Sequence, residues 1–125
     1  MNPERVDLSV LEEYVGHAPN TLRAFVALAI QSLQQALAPL AEGMARSDLA
    51  LLGECGHRAK STALHVGAQT FAHACMALAT AARQGRLPEA LALAAEVQAR
   101  RAAVEDALHA ALRERLGDAP RDAEG

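Results

Sequence analysis

The residues best suited to chemistry in this chain fall in one short run, His57-Arg58-Ala59-Lys60-Ser61. The apolar or small residues around that run, Leu49, Leu52, Gly56, Ala59, Ala63 and Val66, recur at three- and four-residue steps, which is one packed stripe of a helix. At about 100° per residue, His57 points roughly 130° from the centre of that stripe, toward water. Lys60 lies one turn on and about 60° round, on the same side. Gly53 and Leu64 flank the histidine one turn before and two turns after.

An exposed imidazole with an ammonium beside it suits phosphate. An unperturbed imidazole titrates near ~6.5, so most of it is neutral and nucleophilic at cytosolic pH. A cation in reach offsets the charge of an arriving phosphoryl group. Lysine supplies that cation on a flexible stem, and Lys60 is the one lysine in the chain, beside eleven arginines. A small neighbour such as Gly53 would let a partner surface approach. By spacing alone, a histidine three residues before a lysine is also what an ordinary solvated helix face presents.

The other reactive residues form no comparable constellation. His17, His65, His73 and His109 fall in no known metal-binding pattern. His65 and His73 lie either side of Gly67 and could meet, but two ligands do not make a site. Cys55 and Cys75 are 20 residues apart without a CxxC, as expected of partly buried thiols in a reducing compartment. There is no CxxCH and no Glu-x-x-His pair, so neither a haem nor a metal bundle is expected. Arg100 and Arg101 read as a solvated face, with Glu96 and Arg100 an i,i+4 pair.

The elements that must position the run are helical. Of 125 residues, 30 are Ala and 18 are Leu, against seven Val and one Ile. Ala and Leu are strong helix formers, whereas sheets favour β-branched and aromatic residues. Ser9 is placed to cap a short first helix, with Leu11, Tyr14 and Val15 on one side and Gly16 at its end. Pro19 opens a long helix to about Met44, with Leu22, Phe25, Val26, Ala29, Leu33, Leu37, Leu40 and Met44 as its buried stripe. Pro39 should kink or break its last turns. Ser47 is placed to cap the helix that carries His57, with Asp48 in its first turn.

Gly67 interrupts that helix. A fourth helix, about 68–84, puts Phe71, Cys75, Leu78 and Ala82 inward and ends at Gly85. Pro88 opens a last helix to about Leu116, lined by Leu93, Val97, Val104, Leu108 and Leu112. Together these predict an all-α protein: an antiparallel four-helix bundle with a short additional N-terminal helix, one domain over 1–116, and a polar, frayed tail over 117–125.

Composition excludes several partners. The net charge is −3 and only 2% of residues are aromatic, so there is neither a basic footprint nor a stacking platform for nucleic acid. The opening MNPERVDLSV has no apolar run or cleavage site, so no signal peptide is expected. Residues 61–82 carry no Asp, Glu, Lys or Arg but include His, Gly, Gln and Thr, which suits a soluble helix rather than a membrane span. If one side of the uncharged fourth helix is exposed, it is an apolar patch able to join two copies weakly.

The segment HRAKSTALHVGA resembles the signature of histidine-containing phosphotransfer (HPt) domains: His-x-x-Lys-Gly, five residues, then Gly-Ala. His57, Lys60, Gly67 and Ala68 match in spacing, and Ser61 stands where the family has glycine. Phe25, the Leu37/Leu40/Met44 set, Asp48, the Gly85 turn and the long final helix are also similar to the family pattern, over roughly residues 7–116. The resemblance implies a cytoplasmic phosphocarrier in which His57 accepts a phosphoryl group from a receiver-domain aspartate and passes it to another. Lys60 would steady the phosphoryl oxygens, and Gly53, Ser61 and Leu64 would meet the partner.

The partners implied are response-regulator receiver domains and a hybrid sensor histidine kinase. Mg²⁺ would come from the receiver, and no cofactor of the chain's own is expected. The sequence has no Gly-rich nucleotide loop for a kinase activity of its own. Ser61 adds a hydroxyl near the phosphate and predicts altered rather than lost transfer. The alternative is a helical-bundle adaptor that keeps the fold without phosphotransfer.

Overall fold

The computed structural model describes residues 2–117, so the tail expected over 117–125 lies almost wholly outside the described residues. The described chain is all-helical: α1 (Leu8–Val15), α2 (Pro19–Leu37), α3 (Leu40–Arg46), α4 (Leu49–His65), α5 (Gln69–Arg83) and α6 (Leu87–Leu116). The long helix expected from Pro19 to Met44 is two helices. Pro39 has no N–H to donate, and with Ala38 it forms a turn that separates α2 from α3.

Two caps fall one or two residues from where they were expected. Asp7, with extended backbone, caps α1: its Oδ1 accepts from the Ser9 N–H at 3.0 Å and from Ser9 Oγ at 2.6 Å. Asp48 caps α4 by accepting from the Leu51 N–H at 3.1 Å. Ser47 instead closes α3 in the left-handed conformation, φ 51°. In both places two good capping residues are near neighbours, and the one with extended backbone takes the role.

The helices α2, α4, α5 and α6 form a bundle, each packed against two others: α2 on α4, α4 on α5, α5 on α6 and α6 on α2. One continuous core runs through it, with Leu22, Leu33, Leu52, Phe71, Leu78 and Leu108 fully buried. The expected stripes hold at their centres and loosen at their edges. Phe25 is 40% exposed and Met44 is half-buried. In α6 the buried line is Ala90, Ala94, Val97, Val104 and Leu108, while Leu93 and Leu112 pack at its margin.

The uncharged stretch 61–82 is divided by the turn at 66–68, and the inner face of α5, with Phe71, Cys75, Leu78 and Ala82, is buried between its neighbours. The exposed residues of α5 are Gln69, Thr70, His73, Ala77 and Arg83, and among the described residues the exposed large apolar side chains are Tyr14, Phe25, Leu28 and Leu64, none of them on α5. Among the described residues, 19–46 is the stretch apolar and long enough to cross a membrane by length and composition. It is broken at Ala38–Pro39, and 33% of its most apolar window is buried in the fold.

The N-terminal segment straps the bundle. The Asp7 N–H donates to the Val66 carbonyl at 2.9 Å. Gly67, at φ +71°, has atoms of Asp7 2.5–2.7 Å from where a Cβ would stand, so both its backbone and its neighbour require glycine. Glu4 clasps Arg100 through two hydrogen bonds, at 2.7 and 3.1 Å, and the guanidinium lies 5.6 Å from the centre of the Phe71 ring. Arg100 is thus not on a solvated face. Its partner lies 96 residues away in sequence, beyond the reach of helix periodicity.

At the far end of α6, Arg115 pairs with Glu12 of α1, whose side chain is 7% exposed and also meets His17 at 3.3 Å. The hydrogen bond from Arg115, helped by His17, holds the Glu12 carboxyl below its ordinary value of 4.5 against the opposing effect of burial. A carboxyl more acidic in the folded state stabilises fully above its unfolded pKa, and that contribution is lost as pH falls through the folded pKa. Glu12→Gln should therefore lower the thermal midpoint at about pH 7, and the difference from wild type should shrink as pH is taken below the ordinary carboxyl value of 4.5. Thermal melts followed by circular dichroism across that pH range check this.

Candidate functional site

The helix α4 carries the candidate site because it presents two different faces. Its inner face, Leu52, Cys55, Gly56, Ala59 and Ala63, is buried. The opposite side exposes His57, Arg58, Ser61 and Leu64, the last 40% exposed, while Gly53 and Lys60 are half-buried. His57 and Lys60 therefore lie on the water side of one helix, one turn apart, as the spacing predicted.

Two glycines set how close α5 comes. A Cβ on Gly56 would stand 2.6 Å from the Cys75 carbonyl oxygen and 3.2 Å from the Ala79 nitrogen, which is backbone on backbone. A Cβ on Gly53 would stand 3.0 Å from the Ala82 methyl. Residue 53 therefore faces 82 and residue 56 faces 75–79, so the two helices run antiparallel. Above this contact the outer surface dips into an open cleft of about 310 Å³, walled by Leu49, Ala50 and Gly53 of α4 and by Ala79 and Ala82 of α5. Its two polar residues are His57 and Arg83.

Sequence reasoning did not bring Arg83 to the site. By sequence it is only a basic residue in the last turn of α5. The Gly53–Ala82 contact fixes the register between the helices and so carries the next residue to the cleft. Among the described residues, Arg58, Lys60 and Arg83 form no ion pair, whereas Arg46, Arg86, Arg100, Arg101 and Arg115 all do. Glu54 is the one acid on α4. Three cations without an ion pair thus lie on α4 and at the end of α5 near one exposed imidazole, while Arg5, Arg23 and Arg113 are unpaired elsewhere among the described residues.

The remaining candidates are occupied otherwise. His65 packs edge-on against Tyr14, with ring centres 5.0 Å apart. His17 sits on Glu12. Both cysteines are free and fully buried rather than partly so. Burial pushes the Cys75 thiol up to about 12 and raises Cys55 in the same direction, so neither is a nucleophile at neutral pH. Among the described residues, no three His, Cys, Asp or Glu side chains gather in a metal-holding group.

No protein-family model, curated protein or solved structure matches this chain.

The glycine contacts predict an asymmetry between neighbouring substitutions. Gly56→Ala forces the helices apart against backbone and should cost about 2 kcal/mol or more, in the range of overpacked cores. Gly53→Ala presses on the Ala82 methyl by a few tenths of an ångström, a smaller intrusion than at Gly56, and gains helix propensity, so it should cost less than Gly56→Ala. Urea midpoints of the two variants check the order.

Proposed function

We propose that this chain is a histidine phosphocarrier of the HPt type, relaying a phosphoryl group between receiver-domain aspartates through His57. The observation that carries the reading is the exposed imidazole of His57 on a rigid helix, with Lys60 one turn on and Arg83 of α5 on the same cleft. The HPt-like signature of residues 57–68 and the packing of α2, α4, α5 and α6 around one core support the same reading.

In the transfer, a neutral ring nitrogen of His57 attacks the phosphorus of an aspartyl phosphate. The N–P bond forms as the acyl P–O bond breaks, and the electron pair of that bond leaves on the aspartate carboxylate. The proton on the other ring nitrogen stays in place. Little covalent work falls to this chain beyond holding the imidazole in line and offsetting phosphoryl charge. The ammonium of Lys60 does the second. Mg²⁺ and the acidic pocket belong to the receiver, and the reaction takes place in the cytoplasm.

Ser61 is exposed beside His57 and puts a hydroxyl where the family pattern has glycine. It narrows the approach slightly and offers the phosphate a donor. Gly53, Ser61 and Leu64 form the partner-facing surface around the histidine, extended by the exposed Phe25 and Leu28 of the adjoining α2. Encounters over a surface of this size are transient.

The test is transfer from phosphorylated receiver domains to wild type and to His57→Gln. The wild type should take an acid-labile, base-stable label and the variant none, while Lys60→Ala should slow transfer by about tenfold or more, the loss expected for a charge-assisted contact. An unlabelled wild type with its fold intact, across a panel of receivers, would make the bundle a binding adaptor instead.

A further inference from the structure

We propose that the cleft between α4 and α5 is a docking slot for the phosphoryl-donating receiver: it accepts one apolar side chain of that partner, and Arg83 at its rim pairs with a partner carboxylate. On the phosphotransfer reading above, the slot decides which receivers reach His57.

Three observations point this way. The walls are apolar and made mostly of the smallest residues, Ala50, Gly53, Ala79 and Ala82, so the surface dips where longer side chains would have filled it. The volume of about 310 Å³ exceeds the roughly 150 Å³ that accepts a benzene ring in an apolar cavity, so a single Leu- or Phe-sized side chain fits. The close contact of Gly53 with Ala82 shuts the floor, so an occupant enters from the solvent side, where His57 stands.

Charge then selects the partner. Arg83 has no ion-pair partner among the described residues, and neither have Lys60 and Arg58. An acidic rim around the partner's aspartyl phosphate would satisfy them. A second copy of this chain fits poorly. A two-fold contact through this face would bring the same unpaired cations against each other.

Ala50 is exposed on the cleft wall, so Ala50→Phe fills the slot without entering the core. The experiment compares wild type, Ala50→Phe, Arg83→Glu and Arg83→Lys with two donors. One is the phosphorylated receiver that labels wild type. The other is phosphoramidate, which needs no docking and releases ammonia as its P–N bond breaks. With the receiver, Ala50→Phe and Arg83→Glu should raise the half-saturating concentration by about tenfold, and Arg83→Lys should recover most of the loss. With phosphoramidate, wild type and Ala50→Phe should label within about twofold of each other.

Transfer from the receiver unchanged by Ala50→Phe would overturn the slot. Equal losses of Ala50→Phe with both donors would overturn it too, because the cleft would then act on His57 itself. A wild-type dimer in sedimentation that Ala50→Phe dissociates would assign the cleft to self-association and also overturn it. A wild type labelled by phosphoramidate but by no receiver would instead overturn the phosphocarrier reading on which the slot rests.

Discussion

The close approach of α4 and α5 is the constraint on which the rest of the structure depends. At Gly56 the helices meet with no room for a side chain, because the Cys75 carbonyl and the Ala79 nitrogen occupy the space a Cβ would need. Such contact replaces the area that larger side chains would bury. A core rich in alanine offers little apolar surface per residue, so it gains cohesion from dense packing at short interhelical distance. The same contact fixes the register of the two helices, and the register decides which residues of α5 stand beside His57.

Two sets of charged residues do different work. Arg100 and Arg115 are held by Glu4 and Glu12, which tie the N-terminal strap and α1 to the long α6. Both acids are largely buried, where an unpaired charge would be costly, so each pair locks a segment that has few apolar contacts of its own. The strap also crosses Gly67, where the turn between α4 and α5 leaves no space for a side chain. Arg58, Lys60 and Arg83 sit apart from these pairs and leave their charge to solvent or to a partner.

That separation gives the site its character. An ion pair beside His57 would cancel the field that an anionic group meets on arrival. Unpaired cations on two rigid helices keep that field and need no rearrangement to use it. The histidine itself sits on the outer side of a helix whose inner side is fully packed, so its backbone is fixed while its ring stays accessible. The two cysteines, by contrast, are buried where their thiols are hard to ionise, which leaves the imidazole as the accessible nucleophile of this region.

The sequence by itself determined the helical class, the inner and outer faces of α4, the break at Pro39 and the glycine turns, because each is local. Propensity, a missing N–H, positive φ and a three-to-four-residue period all act within a few residues. It therefore placed His57 and Lys60 on one exposed face. Only the tertiary structure decided what stands across from that face. Arg83 reaches the cleft through a contact between Gly53 and Ala82, Arg100 leaves solvent for Glu4, and His65 packs on Tyr14. These are pairings between segments remote in sequence, and helical periodicity gives a residue's direction around its own axis but not the neighbour it will find there. The caps at Asp7 and Asp48 fell between the two cases, since near-neighbouring residues of equal capping ability are told apart only by the backbone path the packed helices impose.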